Sequence, residues 1–179
     1  MNQYPYHRGG GADPVTLCRE LIRIPSYSGE EGEAANWAAE KMIGLGFADV
    51  QRDSFGSITG VWQGENPGPT LLFDAHLDVA PLGMLEYWQH PPFGAVLEGE
   101  RIWGRGAADT KSSLAAMLSA VSGLPRAGLS GRVVLAATVN EEILTGAAVS
   151  SILNQFMPDI FITGEPTSLN LAVAQKGRV

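Results

Sequence analysis

A chain of 179 residues is long enough for one domain with a real core and barely long enough for two. Twelve basic against nineteen acidic residues leave a net charge of −7, which argues against a nucleic-acid or anionic-membrane partner, and no run approaches the roughly 20 apolar residues that a bilayer span needs. The single cysteine, Cys18, excludes an internal disulfide and makes a reducing cytoplasm the natural home.

Residues 1–12 read as a flexible lead-in without the hydrophobic stretch of a signal peptide, and residues 13–179 as one folded unit. Asp13-Pro14 predicts a helix start, with Asp as N-cap and Pro in the first turn; Val15, Leu17, Leu21, Ile22 and Ile24 give the apolar stripe and Pro25 ends it. Cys18 beside that stripe reads as a small buried hydrophobe. Ser28-Gly29-Glu30-Glu31 has the spacing of a capping box, with Glu30, Glu31 and Glu33 as partners of the helix dipole; the helix it opens stops at Gly44 and Gly46. Strands are expected over 48–52 and 57–63, a turn cluster over 64–69, and a continuous apolar strand over 70–73 of the kind buried on both faces. An edge hairpin over 94–101 and a helix over 109–124 follow. A second apolar strand, 132–139, runs straight into Asn140-Glu141-Glu142; a helix over 146–156 leads to a short strand, 159–163, which runs into Gly164-Glu165-Pro166-Thr167. This alternation implies an α/β fold, a three-layer αβα arrangement around a mostly parallel, doubly wound sheet.

In three places an apolar strand ends in ionisable residues: His76 with Asp78, Glu141 with Glu142, and Glu165. In a parallel sheet these ends share one edge, where open α/β folds bind ligands, and Asp109, after the glycine loop Gly104-Arg105-Gly106, can reach it. His76 and Asp78 at i and i+2 face the same way if the strand persists, so the carboxylate can hold the second ring nitrogen. Several carboxylates in one crevice repel unless they take up protons or a divalent cation; a di-metal site removes that cost.

His76-Leu77-Asp78-Val79, Trp88 with Pro92-Phe93-Gly94, the run from Ile102 to Lys111 with its G-R-G-x-x-D-x-K block, Glu141-Glu142 and Gly164-Glu165-Pro166-Thr167 together resemble one zinc-dependent metallopeptidase and deacylase family, that of acetylornithine deacetylase, succinyl-diaminopimelate desuccinylase, aminoacylase and carboxypeptidase G. The resemblance runs from about Pro14 to the end. It implies the phosphorylase/hydrolase-like catalytic domain of such zinc peptidases and a cytoplasmic enzyme that hydrolyses the amide bond of an N-acyl amino acid or short peptide. It further implies two Zn²⁺ ions, with Co²⁺ or Mn²⁺ as substitutes. His76, Asp109 and Glu165 would hold one zinc, Asp109 would bridge to the second, and Glu142 would bind that second ion. Glu141 would be the general base, Asp78 the carboxylate behind His76, and Asp109–Thr110 the cis peptide that the family carries after its bridging Asp.

Departures from the pattern are Ser112-Ser113 where the family has small glycines and His90-Pro91 before the Pro-Phe pair, with His90 read as a loop residue. Family members are about twice as long: a lid and dimerisation domain follows the residues that match Gln175-Lys176-Gly177-Arg178, and the last histidine ligand comes later still. His7 and His90 match no such ligand. The chain is therefore expected to be the first part of a catalytic domain, nearly inactive alone, from a homodimeric parent. Two alternatives stand beside this reading. One is a di-zinc aminopeptidase. The other is a non-catalytic module, whether a metal-binding fragment or a nucleotide binder at Gly104-x-Gly106, where Asp109 in place of a third glycine would repel a pyrophosphate. A serine hydrolase lacks its G-x-S-x-G.

Overall fold

A computed structural model describes residues 11–144, 146–168 and 170–173. The lead-in expected over 1–12 lies, apart from Gly11 and Ala12, outside the described residues, as do His7 and Gln175-Lys176-Gly177-Arg178. Helix α1 spans Pro14–Ile22, and the Asp13 carboxylate caps it by accepting from the Val15 and Thr16 N–H groups. Helix α2 spans Gly32–Leu45 and ends on Gly46 in the left-handed conformation. Strands β1 (Ala48–Arg52), β2 (Ile58–Gln63) and β3 (Asn66–His76) come next. They are followed by a hairpin of β4 (Val96–Glu98) and β5 (Arg101–Trp103). Helix α3 (Ser112–Ser122), β6 (Ser130–Thr138), α4 (Ala147–Phe156) and β7 (Ile160–Thr163) complete the order.

The five-stranded sheet has the order β1-β2-β6-β3-β7. β3 pairs in parallel with both β6 and β7, whereas β2 is antiparallel to β1 and to β6. Four of the five strands thus run the same way, and the sheet is mixed rather than purely parallel. Its two faces follow the side-chain alternation of the strands. Ile58, Trp62, Ala75, Val133, Leu135 and Ala137 face α1, α2 and α3; Val61, Leu72, Val134 and Ala136 face Ile152 and Phe156 of α4. The expected three layers result. Burying each of Leu72, Leu114, Leu118 and Leu135, all fully enclosed, contributes about 1.5–3 kcal/mol. Cys18 is buried among these residues, and burial pushes its thiol up to about 11 despite the opposing charge of Lys111, so it is an inert core residue as expected.

Three local expectations are corrected. Of the turn cluster over 64–69, only Gly64 and Glu65 connect the strands; residues 66–69 are the irregular start of β3, with a register shift between Asn66 and Thr70, so their Gly and Pro residues distort the strand without ending it. The hairpin near residue 94 does not join the main sheet but forms its own two-stranded one. The Ser28-Glu31 capping box does not form; α2 begins at Gly32 with no side-chain cap, because both side chains are committed to partners distant in sequence. His90 lies over the Trp103 ring, 5.2 Å between centroids, with its Nε2 3.7 Å from Glu98, so it braces the hairpin. Among the described residues no helix is long and apolar enough to cross a membrane.

Candidate metal centre

Register brings the site together. β3 and β6 end in step, His76 opposite Thr138, and β7 pairs its Thr163 with Asp74, so all three strands deliver their exits to one edge. The turn Ala107–Lys111 adds Asp109 from the side. Asp109 has φ −122° and ψ 91°, outside the helical region, so α3 starts after it rather than with it, and the Asp109–Thr110 peptide is cis, as the family resemblance implies. Gly106 opens the turn at φ +79°, and a Cβ there would sit 2.6 Å from the Val79 side chain, so only glycine lets this loop approach the β3 exit. The buried Thr110 hydroxyl donates to the Gly164 carbonyl and the Gly164 N–H donates to the Asp74 carbonyl, which fastens the Asp109 turn, β3 and Glu165 to one another. Lys111, wholly buried, donates its Nζ to the Leu21 and Ile24 carbonyls at 3.1 and 2.8 Å, tying the turn to the end of α1; burial lowers its ammonium to about 8, against the opposing influence of Cys18.

Ligand atoms of His76, Asp109 and Glu165 all lie within 4.8 Å of one another, with His76 Nε2 3.0 Å from Asp109 Oδ1. One imidazole nitrogen and two carboxylate oxygens, one buried and two exposed, are a donor set that suits a zinc-like divalent ion. The charges agree. Burial pulls the His76 imidazole down, but Asp78 and Asp109 outweigh it and hold it up at about 10. Burial raises the Glu165 and Glu141 carboxyls; His76 opposes this, and the neighbouring acids add to it. Such crowding of negative charge is what a cation relieves.

Asp78 plays a larger part than its spacing suggests. His76 Nδ1 lies 2.9 Å from the Asp78 backbone carbonyl and 3.5 Å from its carboxylate, so the main-chain oxygen makes the closer contact with the ring. The carboxylate itself, fully buried, accepts from the Glu141 N–H and the Glu142 N–H, both at 3.0 Å, and from the Ser28 hydroxyl at 2.7 Å. Burial pushes this carboxyl up, but those donors and His76 outweigh it and hold it below the ordinary value. The Glu141-Glu142 turn is thus bound to the β3 exit, and both glutamates lie close enough to the triad to affect the Glu165 carboxyl. Glu142 is not among the residues of the three-ligand group.

Asp74, two residues before His76, was not expected in the site. It is buried, accepts from the Thr138 hydroxyl at 2.9 Å, and has its carboxyl pushed up to about 6 by burial, partly offset by Thr138 and His76. An acid directly after the apolar run Leu71-Leu72-Phe73, still within the strand that leads to His76, was the signal for it. Ser28 and Glu31 were missed because a local cap explained their spacing.

The sequence model of peptidase family M20/M25/M40 matches residues 72–176. Succinyl-diaminopimelate desuccinylase of Dinoroseobacter shibae is 34% identical over 166 residues, 87% of this chain and 43% of that protein. The desuccinylase of Gluconobacter oxydans is 35% identical over 171 residues, again 87% and 43%. The chain thus spans less than half the length of these relatives. Among solved structures, an M20 family metallo-carboxypeptidase from Sulfolobus solfataricus superposes with a TM-score of 0.73 at 26% identity, over 86% of this chain and 37% of that one. Human carnosine dipeptidase 1 does so at 0.69 and 21%, over 84% and 37%. A family match over more than half of the sequence, on a fold shared with these structures, establishes that the chain belongs to peptidase family M20/M25/M40.

Proposed function

We propose that the protein hydrolyses the amide bond of an N-acyl amino acid or short peptide with the help of two divalent cations, zinc foremost. The observation that carries this reading is the convergence of His76, Asp109 and Glu165 on one point at the strand-exit edge. Desuccinylase relatives support an N-acyl substrate, and carboxypeptidase and dipeptidase neighbours keep a short peptide in view.

His76, Asp109 and Glu165 would hold the first ion, and Asp109 and Glu142 would contribute to holding the second. When bound, the ions supply Lewis acidity toward the scissile carbonyl and lower the pKa of water. Glu141 takes the proton of the attacking water and passes it to the departing nitrogen, so that water and amide become carboxylic acid and amine. Without an ion, burial raises its carboxyl and the adjacent acids add to this, while His76 opposes it. Asp78 fixes the Glu141 and Glu142 backbone and His76, so neither the base nor the ligands need reorganise during the reaction. Residues 1–179 by themselves would bind metal with little turnover, because the described residues supply one three-ligand position.

A substrate panel tests the reading. A zinc-loaded protein that contains this chain, assayed against N-succinyl and N-acetyl amino acids, C-terminally free dipeptides and N-terminally free peptides, should cleave one of the first two classes and lose that activity with a chelator. Preferential cleavage of peptides that require a free amino terminus would move the protein to the aminopeptidases. Zinc uptake without turnover of any class by such a protein would overturn the reading.

A further inference from the structure

Three consecutive backbone N–H groups leave β6 without a strand to pair with, and all three end on carboxylates. The Asn140 N–H donates to Glu31 Oε1 at 2.9 Å; those of Glu141 and Glu142 donate to the two oxygens of Asp78. Asn140 is left-handed, φ +59°, which turns the chain so that the donors face inward. Glu31 is 6% exposed and stands at the start of α2, where its own carbonyl accepts the Ala35 N–H. The segment before it runs along the β3 exit: the Ser26 hydroxyl donates to the Leu77 carbonyl, the Val79 N–H donates to the Ser26 carbonyl, and the Ser28 hydroxyl donates to Asp78 Oδ2. A buried carboxylate and two hydroxyls from 26–31 therefore bind the β3 exit and the 140–142 turn.

We propose that Glu31, aided by Ser28, is a positioning residue of the site: it holds the Glu141-Glu142 turn by the backbone so that the general base and the second-ion ligand keep their places. The proposal rests on the roles given above to Glu141 and Glu142. Glu31 touches neither substrate nor ion in it and acts only through the Asn140 N–H. A helix cap at this point would have stabilised α2 alone, whereas the observed bond couples α2 to the turn that carries both glutamates. Of the first-ion group, the Asp109 turn and Glu165 are held by Thr110, Gly164 and Lys111 and His76 by the Asp78 carbonyl, and Glu31 bonds to none of them. Loss of Glu31 should therefore be felt unequally by the two ion positions.

Amide hydrogen exchange and zinc titration on the same protein decide the matter. Glu31→Ala should speed exchange at residues 140–142 by about tenfold or more while the central residues of β3 and β6 keep their rates. It should also weaken the second equivalent of zinc by about tenfold and leave the first unchanged. Glu31→Gln, which keeps an acceptor in place, should restore both toward the parent. Unchanged exchange at 140–142, or an equal acceleration across β3 and β6, would overturn the proposal. If Glu31→Ala does not fold, Ser28→Ala reads the same turn through Asp78 and should speed exchange at Glu142; no change there counts against the proposal. If the parent protein takes up no zinc, the proposed function fails, and the exchange pattern still decides whether Glu31 holds the turn.

Discussion

Glu141→Gln is expected to lower kcat about 10²–10⁴-fold in any protein containing this chain that turns over an N-acyl amino acid or dipeptide, with KM and zinc content close to the parent's. The amide matches the carboxylate in size and leaves the Glu141 N–H on Asp78, so the turn stays in place; only the ability to accept a proton goes. Zinc is retained because Glu141 lies outside the group formed by His76, Asp109 and Glu165. The pH profile gives a second readout. Burial and the neighbouring Glu142, Asp78 and Asp109 raise the Glu141 carboxyl, against the pull of His76. A base must be deprotonated, so the parent's activity should fall on the acid side, and the residual activity of the variant should lack that limb. Steady-state kinetics with metal analysis by atomic absorption check both. Loss of zinc in step with activity would make Glu141 a ligand instead.

Asp78→Ala is expected to cost about 3–5 kcal/mol of folding stability, among the largest losses available at a single position outside the apolar core. The fully buried carboxylate serves the Glu141 and Glu142 N–H groups and the Ser28 hydroxyl. Alanine leaves three donors without an acceptor at about 1–3 kcal/mol apiece, reduced where water enters the space left behind. The pH dependence has a definite sign. The folded carboxyl lies below its unfolded value of 3.8, so its contribution is present above that pH and is lost as pH falls through the folded pKa. Urea unfolding of the metal-free protein should therefore show a gap between parent and variant that is wide at pH 7 and narrows under strong acid. Asp78→Asn, which keeps one oxygen acceptor, should fall between the two. A loss under 1 kcal/mol for alanine would mean that the turn finds other partners at little cost.

Much of this was legible in the sequence because its causes are local. Asp13-Pro14 starts α1 by chemistry confined to four residues, and the apolar runs ending in His76, Glu141 and Glu165 mark the strand exits whatever lies beside them. Pairing was not legible. β2 enters antiparallel between β1 and β6, and neither its pattern nor its length says so. Ser28 and Glu31 show the reason most clearly. Their spacing fits a cap, but the unpaired donors beyond β6 and the carboxylate of Asp78 offer buried partners, and a hydrogen bond out of reach of water outweighs a solvated one at a helix end. The Asp78 carboxylate stands behind the His76 ring as expected, its Oδ1 3.5 Å from Nδ1, but the carbonyl of the same residue reaches Nδ1 more closely and the carboxylate also serves the turn.

Zinc titration by calorimetry of the parent protein, His76→Ala and Glu165→Ala tests the metal centre most directly. The parent should bind a first equivalent tightly, and each single substitution, removing one of three ligands, should weaken it at least about tenfold to a hundredfold without unfolding the chain. Zinc uptake that is absent from the parent, or that both variants keep unchanged, would contradict the assignment of His76, Asp109 and Glu165 as the ligands.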